Sequence, residues 1–409
     1  MGLVILEQAQ SLYDQLVAWR RDIHAHPELG FEEHRTARLV ADALCRWGLR
    51  VETGIGGTGV VGHLGAGHPA IGIRADMDAL PIQEANDVPY ASQVPGVMHA
   101  CGHDAHVAML LGVAKLLAGL DDRSAGEVRF LFQPCEEVHD AEGKSGAPRM
   151  IEAGALDGLD AVLALHVDSE AAAGTMGIRS GYVTAAVDCF DAVIVGSGCH
   201  SAFPHTGISP IAILAQVINA VQGIRALRVD PLKPAIIAIE SVHAGDASGV
   251  IPDEACISGN IRSFDEDVRK QLHRELERAL SFARSHGGDY RLTITRYSPA
   301  MYNDHAIAEV MASAAADKLH PAEIVGQDAV FEPKPRMYGE DFSYMTRRVP
   351  GAMAFLGVRA SADKDNLHPD EPRPLHSPIF DLDESALPVG VAVLVKSALR
   401  LLHADQAVR

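Results

Sequence analysis

Three short apolar runs constrain the fold of this chain most, because each hands over to polar, chemistry-bearing residues at its C-terminal end. Ile71-Gly-Ile-Arg-Ala-Asp76 ends in Asp76, with Asp78 just beyond. Glu127-Val-Arg-Phe-Leu-Phe132 runs into Gln133-Pro-Cys-Glu-Glu137, and Asp160-Ala-Val-Leu-Ala-Leu165 ends on His166. Such runs read as strands of a sheet. Helical patterns alternate with them: 7–26, with Leu12, Leu16, Trp19 and Ile23 on one stripe, then Thr36 to Trp47, then Val107 to Leu117. Alternation of this kind predicts an open α/β sheet, and in such sheets ligands and catalytic groups gather outside the C-terminal edge. Asp76, Asp78, Glu136, Glu137 and His166 are therefore expected along one edge.

The stretch Met98-His-Ala-Cys-Gly-His-Asp-Ala-His106 adds a thiol at Cys101, imidazoles at His103 and His106, and a carboxylate at Asp104. A soft ligand and a borderline one in a Gly-containing turn can point at one ion, and they suit zinc, cobalt, nickel or manganese better than calcium or magnesium. The competing reading makes Asp104 a helix cap and Cys101 a small buried residue. Two ligands do not close a coordination shell, so the rest must come from elsewhere. Glu136-Glu137 is a candidate: adjacent carboxylates repel unless a cation holds one of them. One could ligate while its neighbour acts as a general base on water; the plain alternative is a solvated loop pair. His166 could equally be a satisfied core histidine. His376 and His368 each follow a Leu and precede a Pro, and spacing does not choose between them. The Gly-rich stretch Gly54 to Gly59 precedes a strand rather than following one, so it reads as a loop and not a dinucleotide fingerprint.

At 409 residues the chain is long for a single core, and two domains are expected. From about Ala185 the elements read strand, helix, strand, strand, helix, strand, which is the ferredoxin-like βαββαβ unit. Residues 1–184 and 299–409 are expected to form an α/β domain interrupted by 185–298. A net charge of −19 argues against nucleic acid or an anionic membrane as partner. The first residues lack the basic flank and long apolar core of a signal peptide. The apolar run Ala386 to Val395 contains a Pro and is short for a membrane span. Six scattered cysteines fit reduced thiols and a cytoplasmic protein.

Taken end to end, the chain resembles the metal-dependent amidohydrolases of the hippurate hydrolase, auxin-conjugate hydrolase and aminoacylase type, within the clan of co-catalytic zinc peptidases. The motifs that carry the resemblance are Arg20-Arg-Asp-Ile-His-Ala-His-Pro-Glu-Leu-Gly-Phe-Glu-Glu33, Arg74-Ala-Asp-Met-Asp-Ala-Leu-Pro81, Met98 to His106 and Phe132 to Glu137. Leu165-His-Val167, His200-Ser-Ala-Phe-Pro-His205, Gly339-Glu-Asp-Phe-Ser343 and Leu375-His-Ser-Pro378 continue it. The resemblance implies metal ligands Cys101, His103, Glu137, His166 and His376, and it chooses His376 over His368. It further implies Glu136 as catalytic base, Asp78 and Asp104 as residues orienting ligands, and two divalent ions per subunit (Zn, Mn, Co or Ni). The inserted domain would be a lid that forms a homodimer or higher homo-oligomer and presents His200 to a partner's active site. The implied reaction is hydrolysis of an N-acyl amino acid. A dipeptidase or carboxypeptidase is the alternative, and a silent metal-stabilised binding protein is an alternative of another class. Gly198-Cys-His-Ser-Ala202, Gly249, Tyr338 and Cys135 depart from the family's usual residues; Gly249 and Tyr338 bear on the substrate pocket.

Overall fold

The computed structural model describes residues 2–120, 126–317, 329–359 and 373–403. The chain divides into two compact units, Met1–Gly181 with Tyr302–Lys334 and Tyr344–Arg409, and Tyr182–Met301 with Pro335–Ser343. The first is built on an eight-stranded mixed sheet. Its strands lie in the order Arg50–Ile55, Gly59–Ala66, Gly126–Gln133, Ala70–Asp76, Ala161–Ala172, Gly351–Arg359, Met176–Gly177 and Val330–Phe331. The four central strands run parallel. Every residue of Ala70–Asp76 is buried, as a parallel strand covered on both faces requires.

Register explains why the chemistry gathers. Asp76 lies opposite Gln133 and Arg74 opposite Ala164, while Phe355 lies opposite His166. The Asp76 and Gln133 ends are thus level, and the segments leaving them emerge side by side. The strand carrying His166 does not stop there as the sequence suggested: it runs on to Ala172, because Gly351–Arg359 pairs with it through Asp168 and beyond. Helix His103–Ala118 packs between Tyr13–Ala25 and Leu387–His403. Leu16, Ile23, Val107, Leu110, Leu111, Val391 and Leu394 belong to this core. The closing helix is apolar and long enough to cross a bilayer by composition alone, yet it is largely buried within this unit.

The second unit is a four-stranded antiparallel sheet ordered Ala235–His243, Glu254–Ser263, Ala186–Val195, Asp289–Ser298. Two helices, Pro210–Leu227 and Glu266–Leu280, pack on it through Leu214, Val217, Val221, Leu272 and Leu276. This is the ferredoxin-like order. Ser209 caps the first helix and Asp265 the second, their side chains accepting from Ala212 N and from Asp267 N and Val268 N. One segment departs from the sequence reading, which gave all of 299–409 to the α/β domain. Pro335–Ser343 belongs to the second unit, where Arg262 Nη1 donates to Met337 O at 2.9 Å and Ala185 N reaches Arg336 O and Tyr338 O.

Candidate metal centre

The turn Cys101-Gly102-His103 opens helix His103–Ala118. Gly102 sits at φ +83°, and a Cβ there would lie 2.5 Å from Val167 Cγ2, so only glycine lets the turn close on the His166 strand. His103 Nδ1 faces two acceptor oxygens of Asp78, the carbonyl at 2.9 Å and Oδ1 at 3.2 Å. It therefore donates, and Nε2 is aimed the other way, 4.0 Å from Glu137 Oε1. The other carboxylate oxygen of Asp78 accepts from Glu137 N at 3.0 Å. Asp78 thus fixes both His103 and the backbone of the Glu136-Glu137 pair.

His166 follows the same logic. Its Nδ1 donates to Val167 O at 2.8 Å, turning Nε2 to Cys101 Sγ at 3.6 Å. His376 lies in the strap 373–386, half exposed, with φ +62° and its amide donating to Ala100 O at 2.8 Å. Its Nε2 stands 3.2 Å from Glu137 Oε1. Donor atoms of Cys101, His103 and His166 lie within 4.8 Å of one another, as do those of Cys101, Glu137 and His376, and those of His103, Glu136 and Glu137. All five sequence-derived ligand candidates, with Glu136, are therefore brought together. The first two groups share Cys101, and together the five residues would offer donors to two divalent ions. His368 lies outside the described residues.

Two observations show that these residues fit divalent cations. His103 Nε2 is buried and makes no hydrogen bond, which is costly unless a ligand takes that place. The electrostatics are also those of a site awaiting positive charge. Burial, then the Glu137 and Glu136 charges, hold the Cys101 thiol well above its usual pKa. Burial opposes charge on His103, but Asp76 and Asp78 outweigh it and lift its pKa to about 10, so a proton stands where a cation could. His166, with burial dominant, is pushed down to about 4 and stays neutral, the form that ligates.

Other residues around the turn do not join the donor set. Asp104 does not cap the helix, nor does it touch a ligand; its Oδ2 accepts from Arg20 Nε at 2.8 Å and pairs with His24 Nδ1 at 2.8 Å. This corrects its expected orienting role, because the helix turns it away from His103. Asp76, His103 and His106 also converge, but Asp76 is taken by Arg74 Nη1 at 2.6 Å and His106 Nδ1 at 2.5 Å. His106 Nε2 accepts from Val167 N at 3.0 Å, so His106 braces the backbone beside His166. Sequence reading assigned no role to this brace, although His106 sits three residues after His103 on one helical face. It also passed over Arg20, which falls on the apolar stripe between Leu16 and Ile23 and is wholly buried. Arg20 joins Asp104, Asp381 and Glu384. His200 lies in the second unit, exposed, on a short strand paired with Val250–Ile251. Its Nδ1 accepts from Ala202 N at 3.0 Å, which leaves the ring proton on Nε2.

Comparison with known proteins follows the same lines. The model of peptidase family M20/M25/M40 matches residues 72–400. Thermostable carboxypeptidase 2 of Saccharolobus solfataricus is 39% identical over 391 residues, covering 93% of this chain and 94% of that protein. The N-acetyl-L-cysteine deacetylase of Bacillus subtilis is 38% identical over 401 residues, covering 97% and 90%. A crystal structure from Bacillus subtilis, described as a dinuclear metal binding peptidase of the M20 family, superposes with a TM-score of 0.80 at 32% identity, over 96% of this chain and 99% of that one.

Proposed function

The chain belongs to peptidase family M20/M25/M40, as a metal-binding hydrolase of amide or peptide bonds, and from that premise we propose that it cleaves N-acyl amino acids to a carboxylic acid and a free amino acid. The observation that carries this reading is the group His103, Glu136 and Glu137, which sets a second carboxylate beside a cation-binding one. Binding alone needs no base, so Glu136 argues against a silent binding protein. The likeness to a deacetylase over 97% of the chain supports the N-acyl class.

In this reading Cys101, His103, Glu137, His166 and His376 hold two divalent ions of the zinc, manganese, cobalt or nickel type. When bound, such ions polarise a carbonyl and lower the pKa of water towards neutral. Glu136 takes the proton of the attacking water as its oxygen adds to the amide carbon. It then delivers that proton to the departing nitrogen, which cannot leave as an amide anion. Asp78 keeps His103 in the Nδ1–H tautomer and steadies the Glu137 backbone. We further assign the second unit to self-association, with His200 Nε2–H donating to the oxyanion in a neighbouring subunit.

A screen of N-acetyl, N-benzoyl and indoleacetyl amino acids against dipeptides, with detection of released amine, tests the substrate class. Release of one amino acid and one simple acid is expected. Release of amino acids from both sides of the bond would transfer the reading to a dipeptidase or carboxypeptidase, which the likeness to a carboxypeptidase keeps in play.

A further inference from the structure

Glu33 is a buried carboxylate with no cation paired to it among the described residues. It occupies the N-cap position of helix His34–Arg46, yet its side chain makes no capping bond. Glu28 does that work instead, accepting from Arg35 N at 2.7 Å and Thr36 N at 2.9 Å. Glu33 Oε1 accepts from Cys135 N at 2.7 Å, 102 residues away in sequence, and Oε2 accepts from the Thr58 hydroxyl. A buried carboxylate with only neutral partners costs stability that an apolar residue would not. Burial, and then the nearby Asp78 charge, lift its pKa to about 7.

What Glu33 holds is the hinge of the Glu136-Glu137 loop. Cys135 is at φ +47°, a left-handed conformation rare for a residue with a side chain. Three non-glycine residues among those described have positive φ, and they are Phe31, Cys135 and His376: the loop of Glu33, the loop of Glu136 and the strap of His376. Strain of this kind persists only where surrounding structure over-determines it. Cys135 is gripped from both sides. Glu33 takes its amide, and Gly30 packs so closely that a Cβ there would lie 2.7 Å from Cys135 Sγ. Two residues on, Glu137 N donates to Asp78. Alternate amides of one short loop are thus taken by two buried carboxylates, with Glu136 between them.

We propose that Glu33 is a positioning residue for the reaction: by accepting the Cys135 amide it fixes the strained turn that aims Glu136. The proposal rests on the hydrolase reading for its kinetic consequence and on geometry alone for its structural one. A glutamine keeps the arrangement, its Oε1 accepting from Cys135 N while its amide donates to Thr58 Oγ1. A methionine fills the space and removes the acceptor.

The test compares Glu33→Gln and Glu33→Met in two measurements. In the metal-free protein, amide hydrogen exchange is followed in the peptide spanning Pro134 to Val138. Glu33→Met is expected to exchange at least tenfold faster there, with Glu33→Gln near the parent. In the metal-loaded protein, kcat of Glu33→Met, per folded molecule, is expected to fall about 10- to 100-fold with KM within about threefold, since a misplacement of order 1 Å costs on that scale. Glu33→Gln should restore it. If Glu33→Met does not fold, Gly30→Ala pushes Cys135 Sγ and Val138 Cγ2 from the opposite side, and Gly30→Ala with both Cys135→Ala and Val138→Ala removes the two nearest of these contacts. Exchange should then rise in the first and fall back towards the parent in the second. Parent-like exchange in Glu33→Met, or equal damage in Glu33→Gln, overturns the proposal. A parent that hydrolyses no N-acyl amino acid would count against the substrate reading, and the exchange comparison would still decide this one.

Discussion

Replacing Glu136 by glutamine removes a proton acceptor while keeping its shape, whereas the same change at Glu137 removes a charge from between His103 and His376. Glu136→Gln is therefore expected to lower kcat by about a hundred- to ten-thousand-fold with metal content unchanged by elemental analysis. Glu137→Gln should lose metal first. Swapped phenotypes would reverse the assignment of base and ligand. By the same reasoning Cys101→Ser should weaken metal retention far more than Cys135→Ser, because Cys135 Sγ points away to Val138 O. These residues were legible in the sequence because they stand at the ends of apolar runs or in one short turn. Arg20 was half legible. Its place on the stripe with Leu16 and Ile23 could be read, but its partners Asp104, Asp381 and Glu384 lie 84, 361 and 364 residues away, and no periodicity links them. Arg20→Met removes the buried cation from Asp104 and Asp381, while Glu384 keeps Arg21, and should destabilise the protein by roughly 3 to 5 kcal/mol in denaturant unfolding.

At the scale of elements, the His166 strand and the segment from His99 into helix His103–Ala118 bring several imidazoles together in a buried cluster, and their titration sets the acid limit of the metal-free protein. Burial foremost holds His99, His106 and His166 near 4. The unfolded chain takes up those protons near 6.5 and the folded one does not, so stability falls as pH drops from about 6.5 towards 4. Glu33, raised to about 7, works the other way between about 4.5 and 7 but offsets only one of the three. His103, raised to about 10, contributes fully below 6.5 and loses its contribution as pH climbs to 10. The melting temperature of chelator-treated protein should therefore peak near neutrality and decline on both sides; a monotonic rise towards pH 5 would contradict this charge assignment. The edge itself was readable from the apolar runs that end in polar residues. Which histidine braces and which could ligate was not, because His103 and His106 share a helix face and differ only in what meets them. Asp78 takes Nδ1 of His103 and leaves its Nε2 without a hydrogen bond, whereas Asp76 and the Val167 amide take both ring nitrogens of His106.

For the molecule as a whole, the βαββαβ pattern was visible because each element carries its own period and cap. The return of Pro335–Ser343 to that unit was not, since its bonds with Arg262 and Ala185 run through backbone carbonyls that any residue offers. If His200 acts across subunits, mixing His200→Ala with Glu136→Gln under subunit exchange should restore part of the activity, one mixed site carrying both defects and the other neither. Two inactive proteins that remain inactive after demonstrated exchange, or a monomer by sedimentation, would exclude the arrangement. The order in which the chain leaves the ribosome gives the closing helix another significance. Leu387–His403 covers the helix that begins at His103 and also packs on Gly2–Ser11. At about 5 to 20 residues per second, the apolar flank of His103–Ala118 waits roughly 15 to 60 s for its cover to be synthesised. That flank is made early and covered late, so a nascent chain stalled before residue 387 would be a client for chaperones rather than a slower enzyme.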